Sequence, residues 1–260
     1  MIKKEISFNE IYKSFKKLGL NRGDTVLVHS NIGSLGLVGN NLKDTINAYY
    51  KVLKKILGAK GTICVPAFYF DFNKKRIFDL KNSPITNEMG IFSKFILNQK
   101  TAKRSLNPLT SIAAVGSKAK EICNYRTASA YGEDSPFDIM TKLNAKMIFL
   151  GVDLRYMTYV HYVEQRVGVP QRFFKLYDGK ITLGKKKFKM PIIGFVRYLN
   201  KNIINDIEGN NKKFSSKKIT KKTKLGKKNI YLLEMKKTYD FLKLKLQKDC
   251  FYLLKKKPNI

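Results

Sequence analysis

Short runs of β-branched and aromatic residues alternate with amphipathic stretches along the first two thirds of this chain. The runs TVLVHS, GTICVPAF and AKMIFLGV are typical of strands that are buried on both faces of a sheet. The stretches SFNEIYKSFKKLGL and LKDTINAYYKVLKKIL carry apolar residues at helical spacing, and Ser7 and Glu10 have capping-box spacing. This alternation predicts an α/β fold with a largely parallel sheet that helices cover on both faces.

The pattern changes after about residue 173. The segment GKITLGKKKFKMPIIGFVRYL predicts a β-hairpin, and NIYLLEMKKTYDFLKLKL predicts a strand that leads into a final helix. Between them, GNNKKFSSKKITKKTKLGKK is rich in lysine, serine and asparagine and predicts an exposed loop. We expect a single domain over residues 1–260, in which 1–173 form the α/β core and 174–260 complete it.

The net charge of the chain bears on which classes of partner it attracts. The chain has 52 Lys and Arg against 19 Asp and Glu, which gives a formal net charge of +33. Such a surplus attracts polyanions and phosphorylated small molecules, although lysines spread along the whole chain are also expected from an AT-rich coding sequence. The basic residues form no recognisable nucleic-acid module, so no specific nucleic-acid partner is expected.

Cysteine usage and hydropathy bear on metal binding and location. Cys64, Cys123 and Cys250 have no CxxC or other zinc spacing, so we expect no metal and a reducing compartment. The start MIKKEISFNE lacks an apolar targeting segment, and no apolar run is long enough to span a bilayer. We therefore expect a cytoplasmic protein without a membrane span.

A glycine-rich loop follows the first buried strand. In VLVHSNIGSLGLVGNN, Gly33, Gly36 and Gly39 lie between a strand end and a helix start. Glycines let backbone amides approach a ligand, and a helix N-terminus attracts anions, so the loop suits a pyrophosphate. It contains neither GxGxxG nor the GK[ST] of a P-loop, and an ordinary strand–loop–helix turn has a similar pattern.

Five segments in order carry a family resemblance: GDTVLVHSNIGSLGLV, GTICVPAFYFDF, RSLNPLTSIAAVG, EDSPFDIM and FLGVDLRYMTYVHYVEQRVGVP. Together they resemble the antibiotic N-acetyltransferase family, whose founding members are aminoglycoside 3-N-acetyltransferases. The resemblance runs from about residue 4 to the C-terminus and is tightest between 23 and 170. It implies an α/β/α sandwich with a mixed, largely parallel central sheet, distinct from the GNAT fold. It also implies transfer of an acyl group from CoA to an amine, with acetyl as the expected acyl group.

The resemblance also implies site residues. The loop HSNIGSLG would cradle the CoA pyrophosphate, and the family pattern RSxHPxxS would line the same groove. Here the histidine of that pattern is Asn107, which can form hydrogen bonds but cannot titrate near neutral pH. The implied cofactor-binding residues are His29, Ser30, Asn31, Ser34, Leu35, Gly36, Arg104, Ser105, Asn107, Pro108 and Ser111, of which we expect His29 to support the loop.

The family pattern T-x-x-H-x-x-E is intact as Thr158, His161 and Glu164, and Asp153 precedes it. An amine must lose a proton to attack a thioester, and a histidine is the natural base near neutral pH. On a helix His161 and Glu164 share a face, so Glu164 either orients the imidazole or binds the acceptor's ammonium. Thr158 is expected to donate to the developing oxyanion and Asp153 to meet the acceptor amine. The alternatives are a core histidine and ordinary turn caps.

The positive net charge of the protein also bears on the acceptor of the acyl group. Aminoglycosides are polycations, which a protein with this surplus repels, whereas CoA and phosphorylated acceptors are attracted. We therefore favour an amino sugar on a nucleotide or glycan precursor, as in polysaccharide biosynthesis. Two alternatives stay open: aminoglycoside 3-N-acetylation that confers antibiotic resistance, and a non-catalytic basic polyanion-binding protein. A homodimer is also left open.

Overall fold

The computed structural model describes residues 5–124, 127–199, 201–216 and 219–258. Its strands are β1 (Thr25–Ser30), β2 (Thr62–Pro66), β3 (Ile77–Asp79), β4 (Lys103–Arg104), β5 (Ile112–Gly116), β6 (Lys146–Leu150), β7 (Arg172–Leu183), β8 (Lys186–Arg197), β9 (Thr220–Leu225) and β10 (Lys228–Glu234). Its helices are α1 (Phe8–Leu18), α2 (Leu42–Leu57), α3 (Phe72–Lys75), α4 (Gly90–Leu97), α5 (Ala119–Ile122), α6 (Pro136–Lys142), α7 (Tyr159–Val167), α8 (Ile207–Ser216) and α9 (Met235–Lys248). Short 3₁₀ turns span Ile32–Ser34, Asn87–Met89 and Leu154–Tyr156.

The main sheet has seven strands in the order β4-β5-β2-β1-β6-β10-β9. The central strand β1 pairs in parallel with β2 and β6, and the flanking strands pair antiparallel. The predicted mixed sheet is therefore confirmed, with parallel pairing confined to its three central strands. All the residues of β1 except Ser30 are buried, as the apolar run predicted.

Helices cover both faces of this sheet, which gives the predicted α/β/α sandwich. Alternate residues of β1 point to opposite sides, so Val26 and Val28 pack in one hydrophobic cluster and Leu27 in the other. The first cluster includes Phe15 of α1, and the second includes Leu242 of α9. The capping box that was predicted from Ser7 is present at the start of α1.

A second, three-stranded sheet in the order β3-β7-β8 lies beside the main one. The long hairpin β7–β8 confirms the hairpin predicted after residue 173, although β7 begins earlier than the quoted segment. Its register places Arg172 directly opposite Arg197 at the open end of the hairpin. Tyr177 of the hairpin packs with Phe72 and Phe78 in a third apolar cluster.

The lysine-rich segment is not the exposed loop that its composition predicted. It contains part of α8 and all of β9, which pairs with β10 along its whole length. Lys221, Lys222 and Lys224 are exposed on this edge strand, where lysine discourages pairing with another chain. Two lysines of the segment, Lys217 and Lys218, lie outside the described residues.

Strands from both parts of the chain enter the main sheet, since β9 and β10 extend it beyond β6. The single-domain organisation over 1–260 stays a prediction. None of the helices in the described ranges is long and apolar enough to cross a membrane.

Candidate active site

The helix α7 positions the histidine that the sequence singled out. It starts after the 3₁₀ turn that follows β6, and Gly168 ends it in a left-handed conformation with φ 77°. Tyr159, Tyr162 and Val163 are buried against the core, which fixes the rotation of the helix. His161 is then carried at the carboxyl end of the parallel strands, where α/β proteins commonly bind ligands.

His161 and Glu164 lie on one face of α7, as predicted. Nδ1 of His161 is 2.6 Å from Oε2 of Glu164, and Nε of Arg172 lies 2.8 Å from the same oxygen. The side chain of Glu164 is only 1% exposed, whereas that of His161 is 24% exposed. This geometry favours the first of the two roles weighed for Glu164, orienting the imidazole. Arg172 was missed because only the fold brings the start of β7 to α7.

The charges around His161 set its protonation. Burial lowers the pKa of His161 below its ordinary value, and the nearby cations Arg172 and Arg197 lower it too, while Glu164 opposes them. Burial works against ionisation of Glu164, but its contacts with His161 and Arg172 outweigh burial and lower its pKa. At neutral pH the imidazole is therefore neutral, with Nδ1–H donated to a carboxylate and Nε2 able to accept a proton.

A proton NMR titration of the two histidines tests this protonation. We expect His161 to titrate below its ordinary pKa of 6.5, and His29, whose pKa burial lowers to about 4, to titrate in the acid range as well. Arg172→Gln removes a repelling cation and is expected to raise the pKa of His161. Glu164→Gln removes the favourable anion and is expected to lower it. The His29 resonance is the internal control, and pKa shifts of His161 in one direction for both variants would contradict the arrangement.

Two cavities meet at His161. Cavity A has a volume of about 720 Å³ and cavity B of about 380 Å³, and both are lined by His161, Phe70 and Asn205. Cavity A lies toward the glycine-rich loop and cavity B toward the β7–β8 hairpin. The further residues that line cavity A include His29, Ser30, Asn31, Gly33, Phe68, Met89, Met157, Thr158 and Val160.

A third space, cavity C, continues cavity A on the side away from cavity B. It has a volume of about 740 Å³ and shares Asn31, Val152, Arg155 and Tyr156 with cavity A. Three lysines of the β9–β10 hairpin also line it: Lys224, Lys227 and Lys228. The three cavities therefore form a chain in the order C, A, B, with His161 at the junction of the last two.

Of the predicted loop residues, His29, Ser30 and Asn31 line cavity A, and Ser34, Leu35 and Gly36 do not. Ser34 Oγ lies 2.8 Å from the carbonyl oxygen of Asn31 and 2.9 Å from that of Gly151, which ties the loop to the end of β6. Leu35 is fully buried, and its carbonyl accepts from the amide of Lys227. These contacts indicate that Ser34 and Leu35 support the loop, and the cofactor contacts expected of Ser34, Leu35 and Gly36 stay predictions.

The motif RSLNPLTS reaches cavity B through Leu109 and Thr110. Neither cavity A nor cavity B is lined by its five implied residues: Arg104, Ser105, Asn107, Pro108 and Ser111. Arg104 is 3% exposed and donates to the carbonyls of Ala67, Ser83 and Pro84. Burial lowers its pKa to about 10, so it stays charged at neutral pH. Its donors are engaged with these carbonyls and with Ser111 Oγ, which favours a role in framing the wall of the site, and its expected cofactor contact stays a prediction.

The other motif residues make similar internal bonds. Ser105 Oγ accepts from the amide of Ile112, and Ser111 Oγ donates to the carbonyl of Ala67. The carbonyl of Pro108 accepts from the amide of Tyr69. Each of these buried polar groups therefore has a hydrogen-bond partner inside the protein.

Asn107, which stands where the family pattern has histidine, is also a structural residue here. Its Nδ2 donates to the carbonyls of Ala128 and Ile193 at 2.7 and 3.3 Å, and its Oδ1 accepts from the amide of Leu109. The side chain is buried. Asparagine therefore connects β8 to a neighbouring loop, and it cannot supply the proton transfer that a histidine could supply at this position.

The remaining predicted residues are divided between the cavities. Thr158 immediately precedes α7 and lines cavity A beside His161. Asp153 lines cavity C instead, where it caps a 3₁₀ turn and pairs with Arg155 at 3.0 Å. The structure thus does not bring Asp153 into the cavity at His161. His29 is buried and stacks on Phe149, as expected of a residue that supports the loop.

The fold and site define an α/β protein with a helix-borne histidine–carboxylate pair between two adjoining cavities. The chain belongs to the aminoglycoside 3-N-acetyltransferase family, whose sequence model matches residues 27–247. It is 26% identical over 185 residues to aminoglycoside N(3)-acetyltransferase III of Salmonella sp. That match covers 65% of this chain and 63% of the relative, so the chain spans less than two thirds of the length of the curated relative.

Solved structures of this family share the fold. The AAC-IIIb binary complex with CoASH superposes with a TM-score of 0.81 at 20% identity, covering 94% of this chain and 97% of the other. A mutant of AAC(3)-IVa in complex with a gentamicin has a TM-score of 0.80 at 21% identity, covering 97% of this chain and 93% of the other. These likenesses confirm the fold that the resemblance implied.

Proposed function

We propose that this protein is an acyl-CoA-dependent N-acetyltransferase that acts on an amine of an amino sugar. The observation that carries the proposal is the position of His161, oriented by a buried carboxylate at the junction of two cavities. A transfer between two substrates needs such a base between a donor site and an acceptor site. Family membership and the CoASH in the AAC-IIIb structure support the same donor.

The order of the cavities suits the two parts of acetyl-CoA, its phosphates and its neutral arm. Lys224, Lys227 and Lys228 in cavity C offer charges to its phosphates, and the apolar walls of cavity A accept its neutral arm. In cavity A, Nε2 of His29 and Oγ of Ser30 are buried without a hydrogen-bond partner among the described residues. A buried polar atom without a partner is costly, and polar groups of a bound ligand would satisfy both.

The residues at the junction supply the proton chemistry. His161 accepts the proton of the attacking amine at Nε2 while Nδ1–H stays bonded to Glu164. The amine nitrogen forms a bond to the thioester carbon, the carbon–sulfur bond breaks, and His161 returns the proton to the departing thiolate. Thr158, beside His161 in cavity A, is the proposed donor to the carbonyl oxygen as negative charge develops there.

The acceptor class rests on the relatives. Their names describe aminoglycoside N(3)-acetyltransferases, and a mutant of one was solved with a gentamicin. These comparisons support the aminoglycoside alternative better than the nucleotide-linked sugar that we favoured from charge, and none of them indicates a nucleotide-linked substrate. Aminoglycoside 3-N-acetylation is therefore the reference reaction for this chain.

Calorimetric titration with acetyl-CoA at low and high salt tests the donor site. We expect saturable micromolar binding that persists in high salt, because the neutral arm in cavity A contributes a salt-independent part. Lys228→Gln is expected to weaken binding about threefold to tenfold, and Lys51→Gln, an exposed lysine of α2, is the matched control. Binding that disappears with salt, or an equal effect of the two variants, would leave only general attraction to a cationic surface.

A further inference from the structure

Cavity B carries an unusual pair of like charges. Arg172 and Arg197 are direct cross-strand partners in the β7–β8 hairpin, and both line this cavity. Like charges directly opposite each other destabilise a sheet, so the pair needs an offsetting interaction. Glu164 supplies it for Arg172, at 2.8 Å. Arg197 is exposed and donates from Nη1 to the neutral carbonyl of Ile203, which leaves its charge without that kind of compensation.

In the described parts of the chain, the lining of cavity B contains no carboxylate. Of the acids close in sequence to its walls, Glu133 is exposed and does not line the cavity, and three others are engaged elsewhere or point away. Asp71 pairs with Lys75 at 2.9 Å, and Asp206 pairs with Lys213 at 3.1 Å. Asp178, the next residue of β7 after a tyrosine that lines cavity B, points to the opposite side of the strand and lines a separate cavity.

Aromatic side chains form part of the wall of cavity B, and cations that do not themselves line the cavity contact one of them. Arg76 and Lys175 lie 4.6 and 5.3 Å from the centroid of the Tyr177 ring, which together with Phe70 lines cavity B. Tyr177 is buried and its ring is covered by these cations, so Phe70, which is 44% exposed, is the aromatic face that can pack against the ring of a sugar. A polycation would enter such a cavity without carboxylates to pair with its ammonium groups, which is unfavourable.

We propose that cavity B is an acceptor site for an amino sugar that carries an oxyanion, a phosphate or a carboxylate, and that Arg197 binds this group. The inference rests on the proposed function, keeps its amino-sugar amine and departs from the aminoglycoside reference reaction of the relatives, so gentamicin is the probe that tests the departure. A guanidinium suits a phosphate or carboxylate because it offers parallel N–H donors in a fixed plane. The amine of the same sugar then faces His161, which lines the cavity too.

The test measures acceptor binding to the protein saturated with CoA, so that it does not depend on turnover. The probes are glucosamine 6-phosphate, glucosaminuronate, unsubstituted glucosamine and gentamicin, each titrated by calorimetry. We expect one of the two anionic sugars to bind about tenfold or more tightly than glucosamine, with gentamicin the weakest. The anionic sugar that binds more tightly identifies whether the oxyanion is a phosphate or a carboxylate.

Variants assign the preference to one residue. Arg197→Gln is expected to abolish the advantage of the anionic sugar, Arg197→Lys to keep part of it, and Lys186→Gln, an exposed lysine at the far end of the hairpin, to leave it unchanged. Gentamicin binding more tightly than the anionic sugars would overturn the inference. So would a preference for the anionic sugar that is unchanged in Arg197→Gln. Anion-selective binding without any acetyl transfer would keep the acceptor site and instead contradict the proposed reaction.

Discussion

Replacing His161 with alanine is expected to lower kcat for acetyl transfer on the order of 10²–10⁴-fold, the usual contribution of a general base. The imidazole lies between cavities A and B and is held by a buried carboxylate. Within the described ranges, no other side chain that lines both cavities can take up a proton near neutral pH. The affinity for acetyl-CoA is expected to stay unchanged, because the base does not hold the donor's phosphates.

Steady-state kinetics and calorimetry on the same preparation check this result. Gln165→Ala is the matched control, because Gln165 lies on α7 after His161 and lines neither cavity A nor cavity B. It is expected to retain turnover, and thermal melting of both variants verifies that they fold. Turnover that persists in His161→Ala while acetyl-CoA binding weakens would show that His161 is a binding residue and not the base.

Replacing Arg104 with methionine is expected to destabilise the fold by roughly 1–3 kcal/mol without removing any contact to acetyl-CoA. Methionine keeps the apolar stem but removes the donor of the part-buried Ser83 carbonyl and one of the two donors of the buried Ala67 carbonyl, which still accepts from Ser111 Oγ. Each unsatisfied buried carbonyl costs about 1–3 kcal/mol. The measurement is urea unfolding followed by circular dichroism, with the free energy extrapolated to water.

Lys103→Met is the control for this variant, because Lys103 precedes Arg104 in β4 and is exposed. Its free energy of unfolding is expected to change by less than about 0.5 kcal/mol. An Arg104→Met protein with unchanged stability and lost acetyl-CoA affinity would contradict the framing role. It would restore the cofactor contact that the resemblance implied for this motif.

Local patterns predicted the central elements well. The strands β1, β2 and β6 were visible as apolar runs because they are buried on both faces, and α1 was visible through its capping box. Helical spacing placed His161 and Glu164 on one face, although it left open whether Glu164 orients the imidazole or binds the acceptor. Each of these depends on residues that are near one another in sequence.

What the sequence could not predict depends on contacts between distant segments. Arg172 reaches Glu164 only because β7 starts beside α7, and Arg197 joins it only through the hairpin register. The residue types of the polar motif around Arg104 do not show whether its side chains contact a ligand or the protein's own backbone. That depends on how the fold buries them. The lysine-rich β9 resembled a loop because an exposed edge strand has no apolar periodicity.

Acetyl transfer by the purified protein is the measurement on which the proposed reaction depends. Acetyl-CoA and an amino-sugar acceptor, with gentamicin and glucosamine 6-phosphate in parallel, are incubated with the wild-type chain and with His161→Ala, and products are identified by mass spectrometry. We expect an N-acetylated sugar and an equal amount of free CoA thiol with the wild type, and neither above background with the variant. Equal product from both proteins, or thiol release without an N-acetylated sugar, would contradict the role of His161 as the base of an acetyl transfer.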